Sequence, residues 1–184
     1  MRKPLSLIAG FVRDRRANVA IEFAFIVPLM LTMFFGMVEF SSGIAVNRKV
    51  TLAARNMSDL VSQSSTVTDT DLANFTTTAK AIMTPFGASP LNSTVSQLYV
   101  DPTTLQGKVI WSKGSAARGV GSTLSLPTAL QVGGTYLIFS EVNYKNVPAV
   151  GYVMAKAGIT LSDFTSTRPR LSLCVLYSAT SCGT

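Results

Sequence analysis

The chain contains no histidine. Histidine is the commonest general base at neutral pH and the commonest metal ligand, so its absence excludes the Ser-His-Asp and Cys-His hydrolases and most zinc enzymes. There are only two cysteines, Cys174 and Cys182, too far apart for a CxxC motif and without companion ligands, so no metal site is expected. Charged residues make up only 14% of the sequence against 47% hydrophobic, well under the charged quarter of ordinary soluble domains. Neither a dinucleotide fingerprint nor a phosphate loop is present: Gly119-Val120-Gly121 has no glycine at position 124, and the glycines at 114 and 119 are followed by Val120 rather than lysine. With no nucleophile–base pair and no carboxylate dyad to assemble, the expectation is a chain that is not an enzyme and takes no cofactor.

The net charge of +7 would suggest nucleic acid were it not divided so unevenly. Residues 1–18 carry +4, from Arg2, Lys3, Arg13, Arg15 and Arg16 against Asp14, and residues 19–40 carry −2, from Glu22 and Glu39 alone. Beyond them eleven bases and six acids are scattered without a block, so nucleic-acid binding is not expected.

What is present is one long apolar run. Phe23 to Val38 is uncharged throughout, and apolar character resumes after Glu39 as far as Val46. A spanning helix needs about 20 mostly apolar residues, so residues 19–46 are predicted to cross a lipid bilayer once. Pro28 is predicted to kink that helix, because it removes a backbone donor and crowds the preceding turn. Arg13, Arg15 and Arg16 precede the run directly, and such an excess of positive charge stays in the cytoplasm. The reading is therefore a basic cytoplasmic leader (1–18), a transmembrane helix (19–46) and an exported domain (47–184). Two other readings remain open: a cleaved secretory signal with Gly43-Ile44-Ala45 as its processing site, and a plain anchor whose glutamates sit at its edges. An acid near the bilayer centre costs about 2.5–3.5 kcal/mol. Glu22 is tolerable alone and becomes useful only beside a positive group.

The stretch Asp14-Arg15-Arg16-Ala17-Asn18-Val19-Ala20-Ile21-Glu22-Phe23 resembles the start of TadE/TadG-like minor pseudopilins of tight-adherence (Flp) type IV pili. Pro28, Gly36-Met37-Val38-Glu39-Phe40, the Arg-, Asn- and Ala-rich stretch from Asn47 to Asn56, and Arg168-Pro169-Arg170 agree with it. The resemblance implies a structural pilus component in the inner membrane, its C-terminal domain periplasmic, acting in pilus initiation, anchoring or adhesion. The implied partners are other pilus subunits, the inner-membrane assembly platform and a prepilin peptidase. It further implies cleavage between Ala17 and Asn18, where the family's usual residue before the cut is glycine, and a pairing role in the membrane for Glu22, the fifth residue of the cleaved chain. The alternative is a membrane-tethered periplasmic domain that binds a ligand and has no connection with pili.

Beyond the anchor, Val46, Val50, Ala53/Ala54, Met57 and Leu60/Val61 trace one helical stripe, ended by Ser62-Gln63-Ser64-Ser65-Thr66. Thr68 followed by Asp71 is a capping-box pattern that opens a second helix, with Leu72, Phe75, Ala79 and Ile82/Met83 on its apolar face and Pro85 and Gly87 at its end. Strands are expected at Leu98-Tyr99-Val100, Val109-Ile110-Trp111, Tyr136 to Tyr144 and Leu171 to Tyr177, the first two joined as a hairpin. Lys113 to Gly134 reads as a long surface loop and Trp111 as core. The predicted class is α+β, about four mainly antiparallel strands with helices on one face. In the expected oxidising compartment Cys174 and Cys182 are predicted to form a disulfide, with two free thiols as the alternative.

Overall fold

The computed structural model describes residues 15–147, 158–178 and 182. Positions 1–14 of the expected leader lie outside them, and of residues 15–18 only the backbone is described. Two compact units result, Met1–Ser42 and Gly43–Thr184.

Helix α1, Arg15–Ser62, supplies all the described structure of the first unit. Ala, Val, Phe, Leu and Met are its commonest apolar residues, of which Ala, Leu and Met are strong helix formers and Val and Phe are tolerated. Pro28 lies inside it. Lacking an N–H, Pro28 cannot bond the carbonyl four residues back, while its own carbonyl accepts a bond from the Thr32 hydroxyl at 2.7 Å.

In the second unit the predicted stripe is core: Val46, Val50, Ala53, Ala54, Met57 and Val61 are all buried. Burying each valine stabilises by about 1.5–3 kcal/mol, which is ample to hold this part of α1 on a sheet. After Ser62 come strand β1, Thr66–Val67, and helix α2, Asp69–Ile82. The Thr68 hydroxyl accepts from the Asp71 N–H and the Asp71 carboxylate accepts from the Thr68 N–H, closing the capping box. Leu72 and Ala79 are buried, and Phe75 packs beside them.

The remaining strands are β2 (Leu91–Val100), β3 (Gly107–Gly114), β4 (Thr123–Leu124), β5 (Tyr136–Asn146), β6 (Ile159–Thr167) and β7 (Leu176–Tyr177). Five form one antiparallel sheet in the order β4-β3-β2-β5-β6. The expected hairpin joins β2 to β3, its turn set by Asp101 Oδ1, which accepts from Thr103 N and Thr104 N at 2.7 and 2.9 Å. Between Gln97 and Leu98 of β2 the register slips, leaving Ile110 of β3 as the extra residue. That bulge sends Trp111 and Val109, two apart in sequence, into different cores.

The sheet has two covered faces. Val95, Trp111, Ile138, Val142 and Tyr144 pack with α1 and α2. On the opposite face Leu98, Val100, Val109, Leu137 and Phe139 pack with Leu126, which is 4% exposed, and with Leu124 and Leu130. The segment expected as an exposed loop from Lys113 to Gly134 therefore lies over the second face. It includes the end of β3, β4 and a 3₁₀ turn at Thr128–Leu130.

The strands depart from the expectation in two places. The main sheet is antiparallel as expected, and to β2, β3 and β5 it adds the unexpected edge strands β4 and β6. Ile-Thr-Leu-Ser-Asp-Phe-Thr-Ser-Thr is too polar to read as a strand, but it pairs with β5 over its whole length. Conversely, Leu171 to Tyr177 is not a sheet strand. Only Leu176–Tyr177 is extended, pairing in parallel with β1. The Val175 backbone is bonded instead to buried side chains: its N–H donates to Gln97 Oε1 at 2.6 Å, and its C=O accepts from Trp111 Nε1 at 2.9 Å.

Candidate functional site: an apolar helix with two acidic positions

Every large apolar side chain of α1 from Val19 to Phe40, except the half-exposed Val27, is exposed, among them Phe23, Phe25, Met33, Met37 and Phe40. The most apolar eighteen-residue window has a mean hydropathy of 2.1 and none of it is buried. A core helix of a water-soluble fold would cover such side chains. This helix has the length and composition to cross a membrane, and it fits a single-pass membrane protein.

Two acids interrupt it. Glu22 is exposed and has no ion-pair partner among the described residues, whereas Glu39 is half-buried. At a rise of 1.5 Å per residue the two stand about 25 Å apart along the helix, a little less than the hydrocarbon thickness of about 30 Å. In a bilayer centred between them, both carboxylates fall near the interfaces, where their cost is smallest. Ala17 and Asn18 lie in the first turn of α1, and Pro28 falls six residues after Glu22.

In the second unit Lys113 and Arg118 are already engaged. Lys113 is 3.7 Å from Asp69 and sits 4.5 Å from the centre of the Tyr177 ring. The hydrogen bond to Tyr177, followed by the Asp69 charge, outweighs desolvation and raises its pKa. A lysine held protonated in this way is a poor base or nucleophile. These two residues border a cavity of about 200 Å³ between α2 and the sheet. Arg118 makes a bidentate pair with Glu141, Nη2 to Oε1 at 2.7 Å and Nη1 to Oε2, and Glu141 raises the guanidinium pKa in turn. This pair holds the covering segment to the sheet. No group of three or more His, Cys, Asp or Glu side chains suited to a metal occurs among the described residues.

Cys174 and Cys182 are joined by a disulfide, their Cα atoms 6.0 Å apart. Cys174 is buried next to Val175, so the bond lies where the chain leaves the core. Lys49, Gln97, Arg118 and Glu141, which hold this unit together, were not identified from sequence. Their partners are 23 to 78 residues away, and no local pattern marks them.

Residues 18–57 match the family model of TadE-like proteins. No curated protein and no solved structure matches the chain significantly. The matched span begins at Asn18, takes in the whole exposed apolar helix, and ends at Met57 within the buried stripe. Over residues 18–57 the chain is therefore similar to TadE-like proteins.

Proposed function

We propose that this protein is a minor pilin or pseudopilin of a tight-adherence (Flp) pilus, acting in pilus initiation, anchoring or surface adhesion. The observation that carries the reading is the TadE-like match lying directly over an exposed apolar helix with an acid near its start. In this reading residues 19–46 anchor the chain in the inner membrane, with the N-terminus cytoplasmic and residues 47–184 periplasmic. The arginines before the helix support that direction.

Prepilin peptidase cuts between Ala17 and Asn18, removing the basic leader and creating an ammonium on Asn18. Four helical residues rise about 6 Å, so Glu22 can meet that ammonium or the one on a neighbouring subunit. In a low-dielectric bundle a paired charge is tolerated and an unpaired one is costly. The pair thereby selects one axial stagger between subunits.

The alternative, ligand binding through the Lys113–Gly134 segment, has less to work with, because Leu124, Leu126 and Leu130 turn that segment onto the sheet.

Mass spectrometry of protein recovered from membranes tests the processing step, with a mature chain starting at Asn18 expected. A start at Met1 leaves a plain anchor, and a start at Val46 indicates secretory cleavage. Glu22→Gln is expected to preserve insertion and folding while impairing pilus assembly. Normal piliation and normal co-purification of pilus components would remove the pairing role.

A further inference from the structure

The sheet has two unequal edges. One ends in β4, only two residues long, whereas the other is β6, nine residues long and paired to β5 without a register shift. Long edge strands are normally blunted by lysine, proline or a bulge, because their outward N–H and C=O groups pair with any strand that approaches. β6 has no lysine, proline or register shift, and its one device of this kind is its single charge, Asp163. That carboxylate is turned inward, accepting from the Thr51 hydroxyl and from the Phe164 N–H at 2.8 Å. The Phe164 N–H is thus outside the β5 ladder, so the even-numbered residues direct their N–H groups outward and Ser166 presents the next one along the edge.

Beside this end of β6 runs a groove of about 460 Å³. Leu52, Arg55, Asn56 and Asp59 of α1 form one wall, and Thr165 and Thr167 form the other. Three features of the wall define what fits. Asn56 Oδ1 is buried and has no hydrogen-bond partner. Asp59 is already taken, by Arg170 at 2.5 Å and Gln63 at 2.6 Å. Arg55 is exposed with no ion pair among the described residues, and the same holds for Arg48, two turns earlier on the same helical stripe. Leu52 lies exposed between the two arginines.

We infer that this groove receives an extended, acidic segment of another polypeptide, which adds to β6 as a sixth strand. The outward N–H and C=O groups of β6 can pair with a polypeptide backbone and not with a polyanion that has no donors. Acidic side chains at i and i+4 of a strand lie about 13 Å apart, and Arg48 and Arg55 are separated by about 10 Å along the helix. Both ion pairs are therefore within reach of flexible arginines, and an apolar residue between the acids meets Leu52. The groove lies wholly in the second unit, so the inference stands or falls separately from the pilus reading.

The test uses the full chain in detergent micelles and two synthetic peptides of alternating Thr and Val, one with Asp at i and i+4 and the other with Lys at both positions. Binding is followed by residue-resolved amide shifts and hydrogen exchange. The acidic peptide is expected to protect the Ser166 amide and to bind more tightly than its Lys counterpart. Arg55→Ala should weaken it by about two- to fivefold, the range of an exposed ion pair. Arg48→Glu with Arg55→Glu should invert the preference. Equal binding of the two peptides, or shifts that spare β6, would overturn the inference. So would inorganic polyphosphate occupying the groove with no protection of Ser166, which would make it a polyanion site. Concentration-dependent self-association through β6 without peptide would assign the edge to a second copy instead.

Discussion

Gln97 is polar, 1% exposed and in the middle of the central strand. Its carboxamide oxygen accepts the Val175 N–H, and across the same segment Trp111 donates to the Val175 carbonyl. Gln97→Leu keeps the bulk but leaves a buried N–H without a partner, so a loss of about 1–3 kcal/mol is expected in chemical denaturation. A neutral outcome would mean that Val175 finds another acceptor. Asp71 makes a pH-dependent contribution at the start of α2. The Thr68 hydroxyl first, and the Thr68 N–H second, hold its pKa below the ordinary 3.8. A depressed carboxylate pKa stabilises fully above the unfolded value and is lost as pH falls through the folded one. Titration by NMR should therefore place Asp71 below 3.8, with amide protection at the start of α2 fading only in more acidic solution. Thr68→Ala should move the midpoint back up, and an unchanged midpoint would refute the cap as its cause.

At the level of elements, α1 and α2 are linked by a lysine as well as by apolar packing. Lys49 Nζ donates to Ile82 O and Thr84 O, both at 2.8 Å. These are carbonyls at the end of α2, where a helix has no intrahelical donors left and a cation is favoured. Lys49→Met retains the aliphatic stem and removes both bonds, for an expected loss of about 1–3 kcal/mol. Hydrogen exchange should accelerate in the last turn of α2 while β2 and β5 remain protected. Uniform acceleration across the sheet would mean that α2 does not open separately.

At the scale of the whole molecule, the exposed apolar helix has the length and composition to cross a bilayer, and the proposed direction of that crossing can be tested. Protease added to spheroplasts is expected to degrade the second unit while leaving a short membrane-protected fragment. Digestion only after the membranes are opened would reverse the orientation. The same envelope preparation allows non-reducing peptide mapping, in which Cys174 and Cys182 should be recovered as one linked species. The loop they close is short, worth about 2–3 kcal/mol in the chain-entropy view, and recovery of two free thiols would count against both the bond and the compartment.

The sequence alone determined those features whose physics is local. The end of α1 at Ser62, the cap at Thr68 and the buried stripe from Val46 to Val61 depend on residues within a turn or two of one another. The apolar run and its basic flank were legible for the same reason, and with them the TadE-like character of residues 18–57. Tertiary structure decided the rest. Whether Ile159–Thr167 is a strand depends on β5 lying beside it, because its own Ser, Thr and Asp content is neutral between strand and loop. Whether Leu171 to Tyr177 joins the sheet depends on Gln97 and Trp111, which take the Val175 backbone groups a ladder would have used. Leu124, Leu126 and Leu130 are too few to hold one period, switching from a spacing of two to four, and the apolar second face of the sheet explains why they are covered. The groove beside β6 is of this second kind, since its walls come from residues more than a hundred positions apart.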